Sequence, residues 1–204
     1  MREPSGWATH TAPVAPPPPR PEDELLDTTP TGPTGPIPGV TPPPAQDQLP
    51  ILHLPSRTTT TVWWVGVHGG SGASTLAALD DPTTDCSTHG WPTHPDGQDV
   101  VVVARETAQG LAAATAAARH YASGEIPARV LALVTVPAMR GKLPGPLAAP
   151  LRLVAGCFPI HYRTEWHPEY MLHPDPRSAP ADRATVKVIR TIHQLQKGNT
   201  HGHP

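Results

Sequence analysis

The sequence predicts an α/β domain built on a small parallel sheet, and three observations predict it. Short apolar runs rich in β-branched residues, at 60–67, 100–104, 130–136 and 157–162, alternate with stretches of helix formers. The first two runs have unbroken apolar centres, as strands do when both faces of a sheet are covered. The first run enters a glycine turn, Gly69-Gly70-Ser71-Gly72, and leaves it through Ser74 and Thr75 into Leu76, Ala77, Ala78 and Leu79. That is the strand, loop and helix order of a phosphate-holding turn.

Ahead of the domain, residues 1–58 carry PVAPPPPRP, TGPTGPIPG and TPPPAQ, and 16 of the 30 prolines fall in the first 55 residues. Proline removes backbone donors and resists both helix and sheet, so this stretch predicts a disordered or polyproline-II arm. Its P-x-x-P spacing suits an aromatic-lined groove on a protein partner, although a plain tether is the simpler reading. Within it, Pro21-Glu22-Asp23-Glu24-Leu25-Leu26 is either a docking patch or a solvated charge run.

The domain proper spans residues 59–200. Its first helix stops at Asp80-Asp81-Pro82, and the turn formers of 80–99 predict an irregular loop anchored by Trp91. Residues 100–104 are the clearest strand. A helix follows from Thr107, a plausible cap, to Ala122, with Gly124 as its stop and a close-packing face of Leu111, Ala114, Ala118 and Tyr121. Strand 130–136 closes at Pro137. A short helix over 145–153 leads to strand 157–162, where Pro159 requires a sheet edge. Residues 182–196 predict a last helix with Val186, Ile189, Ile192 or His193 along its apolar stripe, and Gln196 one step beyond.

The formal net charge is −2, with three basic and six acidic side chains in residues 1–58 and twelve and eleven in 59–204. Neither part is a nucleic-acid polycation. Two cysteines, Cys86 and Cys157, predict a reduced pair rather than a disulfide scaffold. The N-terminus lacks the order of a secretory signal, and no apolar run approaches the ~20 residues of a membrane span, so a cytoplasmic protein is expected.

A P-loop holds phosphate through inward backbone amides, a helix dipole, a lysine and a metal-binding hydroxyl. The string His68-Gly69-Gly70-Ser71-Gly72-Ala73-Ser74-Thr75 resembles the deviant Walker A loop, K-G-G-x-G-K-[ST], of the ParA and MinD group of P-loop ATPases. The resemblance covers about residues 60–165. It implies a reduced P-loop-like three-layer domain, with phosphate or another anion held at Gly69, Gly70, Ser71, Gly72, Ala73, Ser74 and Thr75. It also places His68 and Ala73 where that group has its two lysines, and Ser74 at the Mg²⁺ position. No apolar strand ends in the Asp of a Walker B motif; Asp99 stands before its strand, at the wrong edge. The chain also resembles a set of actinobacterial proteins with a Pro-rich front and a lysine-less loop, which brings no activity with it. The related ATPases pair across the nucleotide, so a homodimer is implied as an option.

Compensating cations have a place in this fold, since ligands of open α/β sheets sit at the carboxyl ends of the strands. Arg105, Arg140 with Lys142, and Arg163 all leave strands at that end, and either support an anion or face solvent. Two other chemistries have weaker sequence support. Cys86-x2-His89-x4-His94 with Cys157-x3-His161 has ligand-like spacing but no Cys-x2-Cys knuckle, and His201 and His203 fall at the C-terminus, so no metal is assigned. Ser71 lies between Gly70 and Gly72, which is not G-x-S-x-G, so no catalytic residue is assigned either.

The expected function is therefore a non-catalytic binding or scaffold protein with no required cofactor, retaining weak ATP, ADP or anion binding and recruiting a protein partner through the Pro-rich arm. A partition-type ATPase using a non-standard cation, and a zinc-stabilised interaction module, stand as alternatives.

Overall fold

The computed structural model of the chain describes residues 26–53, 62–80, 86–93, 98–173, 175–180 and 182–199. Along the chain come β1 (Ile51–His53), β2 (Val62–Gly66), α1 (Ala73–Asp80), β3 (Ser87–Thr88), β4 (Trp91–Thr93), β5 (Asp99–Arg105), α2 (Ala108–Ala122), β6 (Arg129–Val136), α3 (Gly145–Ala155), β7 (His161–Arg163), α4 (Glu169–Leu172) and α5 (Arg183–Asn199). Strands β3, β2, β5, β6 and β7 form one sheet in that order, and every pairing is parallel. The domain is thus α/β, as the alternation of runs predicts.

Strand alternation sorts the core into two layers. Val100, Val102 and Ala104 of β5 pack with Trp63, Val65 and Leu133 under α2 and α3. Val101 and Val103 pack with Trp64, Val134 and Tyr162 under α1 and α5. All five residues of β2 are buried, and so are Val100 to Ala104, which explains their unbroken apolar sequence. Helix α2 carries alanines on its sheet face, including Ala114, Ala117 and Ala118, which allow close approach. Thr107 caps it, with Oγ1 accepting from the Gly110 amide at 3.0 Å. Asp182 caps α5 by accepting from the Thr185 amide at 2.9 Å. The buried stripe of α5 is Thr185, Val188, Ile189, Thr191 and Ile192, which takes in the expected Ile189 and Ile192 and leaves Val186 partly exposed.

Between 80 and 99 the described residues, 86–93 and 98–99, are less irregular than their turn formers suggest. Within them β3 extends the main sheet, and β4 pairs in parallel with β1 as a separate two-stranded sheet. Trp91 is the anchor: it is fully buried, and its Nε1 donates to Nδ1 of His120 at 3.2 Å. Strand β7 is an edge strand, and Pro159 precedes it.

The Pro-rich arm departs most from expectation. Residues 1–25, with most of the acidic patch, and residues 54–58 lie outside the described residues. Residues 26–53 are a strap laid on the domain and not a free arm. Thr31 and Gly32 donate their amides to the Pro159 carbonyl at 2.8 and 3.2 Å, and Ile37 donates to that of Ala122 at 2.8 Å. Tyr162 and Tyr121 donate their hydroxyls to the carbonyls of Asp27 and Thr34 at 2.7 and 3.1 Å. Proline density lowers the number of donors a segment has, but its carbonyls remain acceptors, and the domain's tyrosines supply the missing protons.

Candidate functional site

The glycine turn and the supporting cations singled out from the sequence sit at the carboxyl edge of the sheet. The glycine turn follows β2, Arg105 ends β5, Arg140 and Lys142 follow β6, and Arg163 ends β7. The strap crosses the opposite side, touching Pro159 ahead of β7 and Ala122 at the end of α2.

The turn is held by its own backbone and by two neighbours. Gly70 and Gly72 have φ of +76° and +100°, which only glycine adopts without strain. A Cβ on Gly72 would also meet Cγ2 of Val136 at 3.2 Å. Ser71 is tucked beneath the turn, 1% exposed, where its Oγ accepts from the Ala73 amide at 3.4 Å. His68 accepts from the Arg105 amide on Nε2 at 3.3 Å, while its Nδ1 meets the Gly69 carbonyl at 2.8 Å. These contacts assign the neutral tautomer with the proton on Nδ1. A second proton on Nε2 would face the Arg105 N–H, so His68 here is a brace for the turn. Arg105 completes the brace, donating from Nη1 to the Gly70 carbonyl at 3.2 Å. Ala73 is buried in the core at 2% exposure. Ser74 is exposed, and it is Thr75 that lines the space beside the turn.

That space is a narrow cleft of about 70 Å³ between the turn and the segment after β7, lined by Gly72, Thr75, Arg105, Val136, Trp166 and Tyr170 among others. His167 stacks on Tyr170 with ring centroids 4.6 Å apart, and the Tyr170 hydroxyl accepts from the Asp182 amide at 3.0 Å, which fixes this wall. A wider open recess of about 540 Å³ adjoins the cleft and is lined by Arg140, Gly141, Arg163, Glu165, Trp166 and Pro168. Glu165 and Trp166 line both.

Alternation divides the expected cations. Arg105 continues the α1 side of β5 and reaches the cleft. Glu106, the next residue, turns toward the other side. Its carboxylate, 2% exposed, receives Nε and Nη2 of Arg163 at 2.7 and 2.9 Å, and the Thr135 hydroxyl at 3.1 Å. Nε2 of His161 lies 2.9 Å from the same Thr135 Oγ1. With the Thr135 proton given to Glu106, His161 is the donor to Thr135. Burial pushes the His161 pKa down, against the pull of Glu106 and with the push of Arg163, in keeping with a neutral ring. Arg163, expected to back the turn, is thus committed to Glu106, and the salt link holds its own charge firmly on. Arg140 is exposed beside the wider recess, and Lys142 is exposed and lines neither space.

The model of a family of unknown function, DUF6668, matches residues 60–193, about two thirds of the chain. The chain belongs to that family. The DUF6668 match takes in the turn, both spaces and the Glu106 cluster, and leaves out the strap. No curated protein and no solved structure matches the chain.

Metal ligands do not converge among the described residues, where no three His, Cys, Asp or Glu side chains form a group able to hold an ion. Cys86 is buried with its thiol against the Ala77 carbonyl, Cys157 is exposed, and the two are not bridged. His94, His201 and His203 lie outside the described residues. Among the described residues no helix is long and apolar enough to cross a membrane.

Sequence reasoning missed Glu106, Thr135 and the Glu165–Trp166 wall, and it offered His161 only as a candidate metal ligand. Two signals were present: an acid one residue past Arg105 after the apolar run 100–104, and a threonine near the carboxyl end of the otherwise apolar run 130–136.

Proposed function

We infer that this DUF6668 chain is a non-catalytic anion- or nucleotide-binding protein, built on a degenerate P-loop-like domain. The reading rests on one observation: the positive-φ glycine turn, Thr75 and Arg105 converge on an anion-sized cleft at the sheet's carboxyl edge. A water needs roughly 10–15 Å³ of such space, so about 70 Å³ admits a phosphate and not a whole nucleotide. Thr75 and one arginine attract that phosphate weakly, because Arg105 is already engaged with Gly70 and the Ser71 and Ala73 amides are bonded within the turn. Catalysis is absent from this reading because the second lysine position is a buried alanine and His68 braces the turn.

Thermal shift of the full chain with ATP, ADP and sulfate tests it, since a ligand of the folded state alone raises apparent stability. Wild type is expected to gain stability and Arg105→Ala to gain none; no shift with any ligand for wild type would remove the reading. A second reading, a partition-type ATPase using Arg105 as its cation, is favoured by Thr75 and Glu165, a hydroxyl and a carboxylate lining the same cleft. Magnesium-dependent phosphate release above the buffer rate, abolished in Arg105→Ala, would favour this second reading over the first.

A further inference from the structure

The two spaces at the carboxyl edge differ in size and in chemistry. The cleft at the turn suits one phosphate, whereas the adjoining recess, at about 540 Å³, falls within the usual range of small-molecule sites. They share Trp166 and Glu165, so a ligand with its phosphate at the turn has its body against that wall and its far end at Arg140 and Arg163.

Each wall residue constrains the ligand. Trp166 offers an apolar ring surface. Glu165 lines both spaces and its charge also acts on Arg163, so along this wall it repels negative charge and accepts hydrogen bonds, which suits a neutral middle bearing hydroxyl or N–H donors. At the far end Arg163 is fixed in direction, because the buried Glu106 holds Nε and Nη2 and leaves Nη1 outside that fork. Arg140 has no hydrogen-bond or ion-pair partner among the described residues. An arginine oriented by a buried carboxylate, beside an unpaired one, is a preorganised place for a second anion.

We propose that the edge binds a ligand with two negative groups flanking a neutral, hydroxyl-bearing ring system, the chemical class of a nucleoside 3′,5′-bisphosphate. One phosphate sits at Gly72, Thr75 and Arg105, the other at Arg140 and Arg163. The inference rests on the anion-binding reading above and names the ligand class of that site.

Isothermal titration of the full chain with nucleoside 5′-monophosphate and 3′,5′-bisphosphate, each as adenosine and guanosine forms, tests it. The bisphosphate is expected to bind at least about tenfold more tightly than the monophosphate in wild type. Arg140→Ala, an exposed change, is expected to bring the bisphosphate down to the monophosphate affinity and to leave the monophosphate unaffected. Equal affinities in wild type, or a preference that survives Arg140→Ala, overturn this inference alone. Failure of every nucleotide and of sulfate to bind overturns the anion-binding reading with it.

Discussion

Glu106 and Arg163 form a two-pronged pair at 2.7 and 2.9 Å, with the carboxylate inside the protein and the arginine side chain 38% exposed. The asymmetry sets what each deletion does. Arg163→Ala leaves a buried charge with only the Thr135 hydroxyl and is expected to cost about 3 kcal/mol, the low end for a broken buried pair because solvent reaches the arginine. Arg140→Ala leaves the denaturation midpoint unchanged. Urea unfolding of both variants checks the contrast, and equal midpoints would mean that Glu106 is not buried.

Asp80, at the end of α1, accepts from Trp64 Nε1 at 2.8 Å and meets His193 of α5. The Asp80 hydrogen bond raises the His193 pKa, while burial and Lys197 oppose it. A raised folded pKa stabilises fully below the unfolded value of about 6.5 and is lost as pH rises through the folded pKa. His161 runs the other way: its lowered pKa favours the fold above about 6.5 and is lost as pH falls. Comparing wild type with His193→Asn across pH 5.5 to 8.5 therefore isolates one slope. Wild type should lose its advantage over the variant toward the alkaline end, by at most about 1 kcal/mol for a partly exposed pair. An advantage that grows with pH contradicts the assignment.

The strap passes so close at Gly32 that a Cβ there would lie 2.1 Å from the Phe158 carbonyl oxygen. Backbone cannot give way as a flexible side chain does, so Gly32→Ala is expected to lift the strap at a cost of about 2 kcal/mol. Limited proteolysis should then cut within residues 26–50 several times faster than in wild type. Unchanged cutting would show that the strap accommodates a methyl group.

Placing a lysine at Ala73 tests the reading of the turn as a degenerate P-loop. Ala73 is buried in the layer that also holds Leu76 and Ala77. Ala73→Lys is expected to lower stability by about 2 kcal/mol or more, since an unpaired charge is forced toward the core. Phosphate release from ATP should stay at the buffer rate. A variant as stable as wild type and hydrolytic would show that the lysine position opens to the cleft.

Periodicity and composition carry over well where one interaction dominates. The runs 100–104 and 130–136 read as buried strands because no polar side chain other than Thr135 interrupts them, and both are central strands. The glycine turn was legible because positive φ at Gly70 and Gly72 needs glycine. Trp91 was legible as an anchor, but not His120 as its partner, since the two are 29 residues apart.

What the sequence by itself determined is the parallel α/β architecture, the position of the turn and the gathering of cations at one sheet edge. These follow from local rules: strand period, turn conformation and the shared polarity of parallel strands. Tertiary structure alone decided which face each edge residue takes and what it meets there. It sent Arg105 to the cleft, paired Arg163 with Glu106 on the opposite face, left Arg140 without a partner among the described residues and laid residues 26–53 over the domain. The physical reason is that a buried carboxylate must find its cation, and a proline-rich carbonyl its donor, among residues distant in sequence, and no local pattern records that choice.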